Sequence, residues 1–86
     1  MRQTLKNMFN FVDTELNDLS FYETYHSAKR YYEDADDFDN FVADTLDNIH
    51  FNEVFDHCST EQFEPVFSLA ETILEPIWNA VGNYQH

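Results

Sequence analysis

Residues 33–49 read Glu-Asp-Ala-Asp-Asp-Phe-Asp-Asn-Phe-Val-Ala-Asp-Thr-Leu-Asp-Asn-Ile, and the path of the chain through them decides the fold. Phe38, Phe41, Val42, Leu46 and Ile49 recur at helical intervals rather than in alternation, which predicts a helix. The segment before it carries its own stripe, Phe21, Tyr25, Ala28, Tyr32 and Ala35. At about 100° per residue the centres of the two stripes lie roughly 90° apart. One straight helix would bury both badly. A break is therefore expected at Asp34-Ala35-Asp36-Asp37, with Asp34 or Asp36 capping the helix that follows.

Upstream, Leu5, Met8, Phe9, Val12, Leu16 and Leu19 define a helix over about residues 3–17. Ser20-Phe21-Tyr22-Glu23 is an S-x-x-E capping box, so the second helix starts at Phe21. Downstream, residues 50–59 predict at most a short helical turn from Asn52. Val66, Leu69, Ala70, Ile73, Leu74, Ile77, Ala80 and Val81 then share one face of a last helix. Pro65 stands near its expected start and Gly82 in the position that ends helices. Pro76 lacks an amide hydrogen and crowds the carbonyl of Thr72, so a kink or split is expected there. One glycine and two prolines in 86 residues leave little material for hairpin turns. The expected architecture is all-α, a compact bundle of about four helices forming a single domain over residues 1–86.

Composition bounds the function. The chain carries 17 Asp or Glu against four Lys or Arg, a net charge of -13 at pH 7. Four cations cannot build the basic patch that phosphate contacts require, so direct nucleic-acid binding is excluded and an anionic membrane would repel the chain. Nine Phe, five Tyr and one Trp separate it from acidic disordered tails. At this length about 60 to 65% of the unfolded surface is removed from water, which leaves little room for a large cleft. There is no apolar run of signal-peptide or membrane-span length, and the lone Cys58 fits a reducing compartment, so a soluble cytoplasmic protein is expected.

Catalytic and metal constellations find little support. Residues 34–39 superficially suggest a calcium loop, but its sixth position is not glycine and its twelfth, Thr45, is not glutamate. Glu23-x-x-His26 has the spacing of a di-iron bundle ligand pair without the second copy such sites need. Glu53 and His57 lie one helical turn apart, a spacing common in any acidic chain. His57 directly precedes Cys58, and adjacent residues on a helix do not face each other, so no nucleophile and base pair is formed. A single glycine excludes phosphate-cradling loops. Asp18-Leu19-Ser20 places a leucine where acyl carrier proteins need serine directly after aspartate. The expectation is a non-enzymatic protein with no cofactor and no metal.

The acids themselves are patterned. Glu33, Asp34, Asp36, Asp37, Asp39, Asp44 and Asp47 follow one another with no base among them. Asp37, Asp44 and Asp47 project opposite the apolar face of the third helix, and Glu64, Glu71 and Glu75 repeat the arrangement on the last. Glu53 and Asp56 add charge between the two. Residues one turn apart stand about 5 to 6 Å from each other, comparable with the spacing of phosphates along one strand. A merely solvated face mixes signs, because like charges at i, i+4 weaken a helix by a few tenths of a kcal/mol per pair. A net charge of magnitude about 2 to 8 suffices for solubility in a small domain, so a partner-binding role is expected for these twelve carboxylates.

Small size, helical Asp/Glu stripes, many aromatics and few bases resemble the DNA-mimic inhibitors of phages and mobile elements, such as the Ocr and ArdA antirestriction proteins and acidic anti-CRISPR proteins. Asn52-Glu53-Val54-Phe55-Asp56-His57 also looks like an N-x-V-F-D-H stretch of Ocr. The resemblance implies occupation of the cationic DNA-binding site of a host nuclease, CRISPR complex or other DNA-binding protein. The alternative is a small acidic adaptor that binds a basic protein without imitating DNA, as an antitoxin or polymerase inhibitor does. Phe9, Phe21, Phe38 and Phe41 fall on inner stripes and should be core. Phe11, Tyr22, Tyr31, Phe67 and Trp78 lie at or beyond the stripe edges, and a homodimer is one way to cover them.

Overall fold

The structure, a computed structural model, describes residues 5–34, 37–55 and 59–84. Five helices follow in order: α1 Leu5–Asn17, α2 Phe21–Asp34, α3 Phe38–Asn48, α4 Phe51–Val54 and α5 Thr60–Tyr84. The fold is all-α. The expected break between α2 and α3 is present, but its cap differs. Asp37 has extended backbone angles (φ -115°, ψ 91°) and its carboxylate accepts from the Asn40 amide at 3.1 Å and from Asn40 Nδ2 at 2.6 Å. Only the residue directly before the first helical turn can reach that amide, which rules out Asp34 for the role; Asp36 lies outside the described residues.

The α1–α2 connection is short. The Asn17 amide group donates to the Asp13 carbonyl at 2.7 Å and to its carboxylate at 2.9 Å, closing the last turn of α1. Ser20 Oγ then accepts from the Glu23 amide at 3.4 Å, as the capping box predicts. The inward face of α2 is rotated from expectation. Thr24 and Ala28 are buried, with Tyr31 and Tyr32 half-buried, whereas Phe21 is 62% exposed. Thr24 can take the inner place because its hydroxyl donates to the Ser20 carbonyl at 2.8 Å, which removes the cost of burying it. Phe21, in the first turn, lies beyond the reach of the packed helices and lies against Tyr25 instead.

Helix α5 is the spine, about 37 Å long at 1.5 Å per residue, and α1, α2 and α3 all pack on it. Met8, Val12 and Leu16 of α1, Ala28 of α2, and Phe41, Val42, Leu46 and Ile49 of α3 to α4 meet Phe51, Val66, Ala70, Leu74 and Val81 in one core. Aromatic rings divide it into two groups. Phe11, Phe51, Phe55, Phe63 and Phe67 interlock around α1, α4 and the first half of α5, with centroid separations of 5.2 to 6.4 Å. Trp78 gathers Tyr32, Phe38 and Phe41 at 5.3 to 5.7 Å around the second half.

Two expectations about α5, its start and its end, are corrected, and a third, at Pro76, is narrowed. Its start lies at Thr60 rather than near Pro65, fixed by a reciprocal box: Ser59 Oγ accepts from the Gln62 amide at 3.2 Å, and Gln62 Oε1 accepts from the Ser59 amide at 3.3 Å. Of the kink or split expected at Pro76, the split is absent: the helix runs unbroken from Thr60 to Tyr84. Thr72 and Pro76 are both exposed, so water can reach the carbonyl that Pro76 leaves without its donor, and buried Leu74 and Val81 hold both flanks to the core. Gly82 lies inside the helix rather than past its end. A β-carbon there would meet the Tyr32 hydroxyl at 3.4 Å, an ordinary contact, so the Tyr32 ring packs against this position without requiring glycine.

Candidate acidic binding surface

Helical periodicity sets out the carboxylates. Asp39 and Asp47 of α3, Glu53 of α4, Glu64 and Glu75 of α5, and Glu33 near the end of α2 are exposed, while Asp37, Asp44 and Glu71 are half-buried. Asp36, Asp56, His57, Cys58 and the side chain of Asp34 lie outside the described residues. The acidic stripe of α5 is longer than the sequence reading has it. Once the helix starts at Thr60, exposed Glu61 joins Glu64, Ser68, Glu71 and Glu75 at successive spacings of three and four residues. The Ser59–Gln62 capping pair is the signal that would have included it.

The structure brings two of the acidic runs together. Asp39, in the first turn of α3, comes beside the carboxyl of Glu71 in the middle of α5, close enough for the two to share a hydrogen bond when one of them is protonated. Partial burial holds the Glu71 carboxyl above the ordinary glutamate range, and the charge of Asp39, its hydrogen bond and the charge of Glu75 push it the same way. Asp39, Glu71 and Glu75 therefore form one patch from two helices. Glu53 is turned to a local role, with its carboxylate 3.3 Å from His50 Nδ1 across an i, i+3 spacing. Asp37 is likewise engaged in capping α3, so its removal tests the helix before it tests a partner.

Beside this patch Phe63, Glu64, Phe67, Ser68 and Glu71 line an open depression of about 470 Å³. Its lining therefore combines two aromatic rings with two carboxylates. That chemistry suits a cationic side chain, whose charge is attracted by ring faces and carboxylates together. Among the described residues no group of three His, Cys, Asp or Glu side chains could hold a metal ion, and no helix is long and apolar enough to cross a membrane.

No family model matches the chain, and no curated protein or solved structure matches it. The surface has to be read from its charge and shape. The described residues carry 15 acids and three bases, a net of -12 with histidines neutral, along a long axis of 47 Å. That is about one net charge per 4 Å, close to the one per roughly 3.4 Å of a single nucleic-acid strand and under half the density of a duplex.

Proposed function

We propose that the protein is a non-enzymatic inhibitor whose acidic surface occupies the cationic DNA-binding site of another protein, a defence nuclease or CRISPR complex being the targets that its resemblance to DNA mimics implies. The observation that carries this reading is the joining of the α3 and α5 carboxylates at Asp39 and Glu71, next to a depression suited to cationic side chains. A strand-like charge density on a rigid helical frame competes for a groove built to follow phosphates, and the preorganised frame limits the entropy lost on binding. Opposite charges would also speed the encounter and make it salt-sensitive.

The test is affinity capture of the partner from bacterial lysate, followed by titration of the complex with duplex DNA. Displacement by DNA supports mimicry. A partner still held at saturating DNA sinks that reading and leaves the acidic adaptor. Within the mimic reading, Asp39→Asn, Asp44→Asn and Asp47→Asn together should weaken inhibition with helicity unchanged, and Glu64→Gln with Glu75→Gln should do the same from the α5 side. Inhibition unaffected by both sets would place the binding face elsewhere.

A further inference from the structure

The outward face of α2 differs from the rest of the surface. Tyr22 is 72% exposed and its ring lies 4.5 Å from that of His26, whereas exposed Phe21 stacks on Tyr25 about 140° round the helix from His26, outside this face. The next turn carries Lys29 and Arg30, two of the four cations of the whole chain. A cationic partner would meet like charge here. An acidic, aromatic-bearing surface is complementary, and the same helix supplies one.

We propose that this face is a two-fold dimer interface, in which α2 packs antiparallel against α2 of a second copy with His26 at the axis. At about 100° per residue, Tyr22 and Lys29 lie roughly 40 to 60° to one side of His26, and Glu23 and Arg30 lie the same distance to the other. A two-fold axis through an antiparallel pair sets like sides against each other with the chain direction reversed. Glu23, three residues before His26, then comes opposite Arg30 of the second copy, four residues after it. Tyr22 comes opposite Lys29 of the second copy. Each pairing occurs twice, giving two ion pairs and two contacts between a cation and an aromatic face. A parallel two-fold arrangement exchanges the sides at the same height, so it would instead set Arg30 against Lys29 of the second copy and leave Glu23 against Tyr22 without a cation.

The α2 helix is only about 21 Å long, so the buried area falls near or below the low end of specific interfaces, about 1,200 Å². The dimer is accordingly weak and reversible in the micromolar range or above. The acids of the two copies repel, but at physiological salt charges more than about 8 Å apart are largely screened, whereas the contacts across the axis are far closer. The inference is independent of the proposed inhibitory role.

Sedimentation equilibrium at physiological ionic strength, from micromolar to millimolar protein, should show the mass rising from 10.3 kDa towards twice that value. Arg30→Glu should weaken association by about tenfold or more, since it turns two attractions into repulsions. Combining it with Glu23→Lys should restore association, with circular dichroism confirming an intact helix in each variant. A geometric test uses a Cys58→Ser background. With helix axes about 8 to 10 Å apart and Cα atoms about 2.3 Å from each axis, facing Cα atoms at position 26 come within the usual reach of a disulfide, about 4.4 to 6.8 Å. His26→Cys should therefore form a linked dimer under mild oxidant. Glu33→Cys should not, because its two copies stand about 21 Å apart along the axis. A mass constant at 10.3 kDa up to millimolar concentration would overturn the proposal. So would Arg30→Glu associating as wild type, the double variant failing to recover, or Glu33→Cys linking as readily as His26→Cys.

Discussion

Substituting Asp37 separates the structural use of a carboxylate from its use as surface charge. Asp37 Oδ1 accepts from the Asn40 amide at 3.1 Å and Oδ2 from its side chain at 2.6 Å, at the start of a helix that buries Phe41, Val42, Thr45 and Leu46. Asp37→Ala removes both acceptors and should cost about 1 kcal/mol, within the 0.5 to 2 kcal/mol found for lost caps. For a domain of this size that lowers Tm by roughly 4 to 8 °C. Asp37→Asn keeps an acceptor at the same place and loses the charge, whose attraction to the helix N-terminus is worth about 0.3 to 1 kcal/mol. The ordering of stabilities is therefore wild type, Asn, then Ala. Thermal unfolding followed by circular dichroism, with a urea titration to check that the m-value is unchanged, measures it. If alanine is neutral, Asp37 does not cap α3 in solution. If asparagine costs as much as alanine, charge rather than hydrogen bonding is what the position supplies.

Three other substitutions test separate features. Glu71→Gln should stabilise the protein near neutral pH and remove part of its pH dependence: a carboxyl whose folded pKa is raised binds more protons in the folded state, so its contribution to stability falls as pH rises from the ordinary glutamate range through the raised value, and urea unfolding at several pH values would show it. His50 has left-handed backbone angles (φ 62°, ψ 33°) between α3 and α4, which cost an L-residue about 1 to 2 kcal/mol; His50→Gly should raise Tm by a few degrees despite losing the contact to Glu53, and a lowered Tm would show that the contact outweighs the strain. Gly82→Ala should gain up to about 1 kcal/mol of helix propensity, because its new methyl group meets the Tyr32 hydroxyl at an ordinary contact distance of 3.4 Å. Chemical denaturation would reveal the opposite sign if the ring cannot accommodate it.

What was legible in the sequence is what depends on neighbours along the chain. The phase mismatch between the Tyr25/Ala28/Tyr32 and Phe41/Val42/Leu46 stripes requires a break, and the helices part at that point. Ser20 and Glu23 announce the start of α2, and the same rule applied to Ser59 and Gln62 sets the start of α5. What was not legible depends on residues that meet across the fold. What packs on Gly82 is Tyr32, fifty positions earlier, and the tolerance of Pro76 rests on which side of α5 faces water. Phe21 has the spacing of a core residue, yet whether the first turn of α2 reaches the core is set by the placement of α5. The acidic runs were visible as runs; the contact of Asp39 with Glu71 belongs to the packing of α3 on α5.

The aromatic content and the acidity of this chain are two sides of one balance. Like charges one helical turn apart weaken a helix by only a few tenths of a kcal/mol per pair, whereas fully burying one phenylalanine contributes about 1.5 to 3 kcal/mol. Phe41 and Phe51 are wholly buried, and between them offset the repulsion of many such pairs. The ring groups also stand where the charge is densest. Phe38 and Phe41 occupy the helix that carries Asp39, Asp44 and Asp47, while Phe63 and Phe67 lie beside Glu64 and Glu71. Acids could not be crowded onto α3 and α5 unless the opposite faces of those helices were held firmly. The rings provide that hold, and on α5 two of them, Phe63 and Phe67, also line the surface depression with Glu64 and Glu71. There the packing that tolerates the charge also shapes the acidic surface.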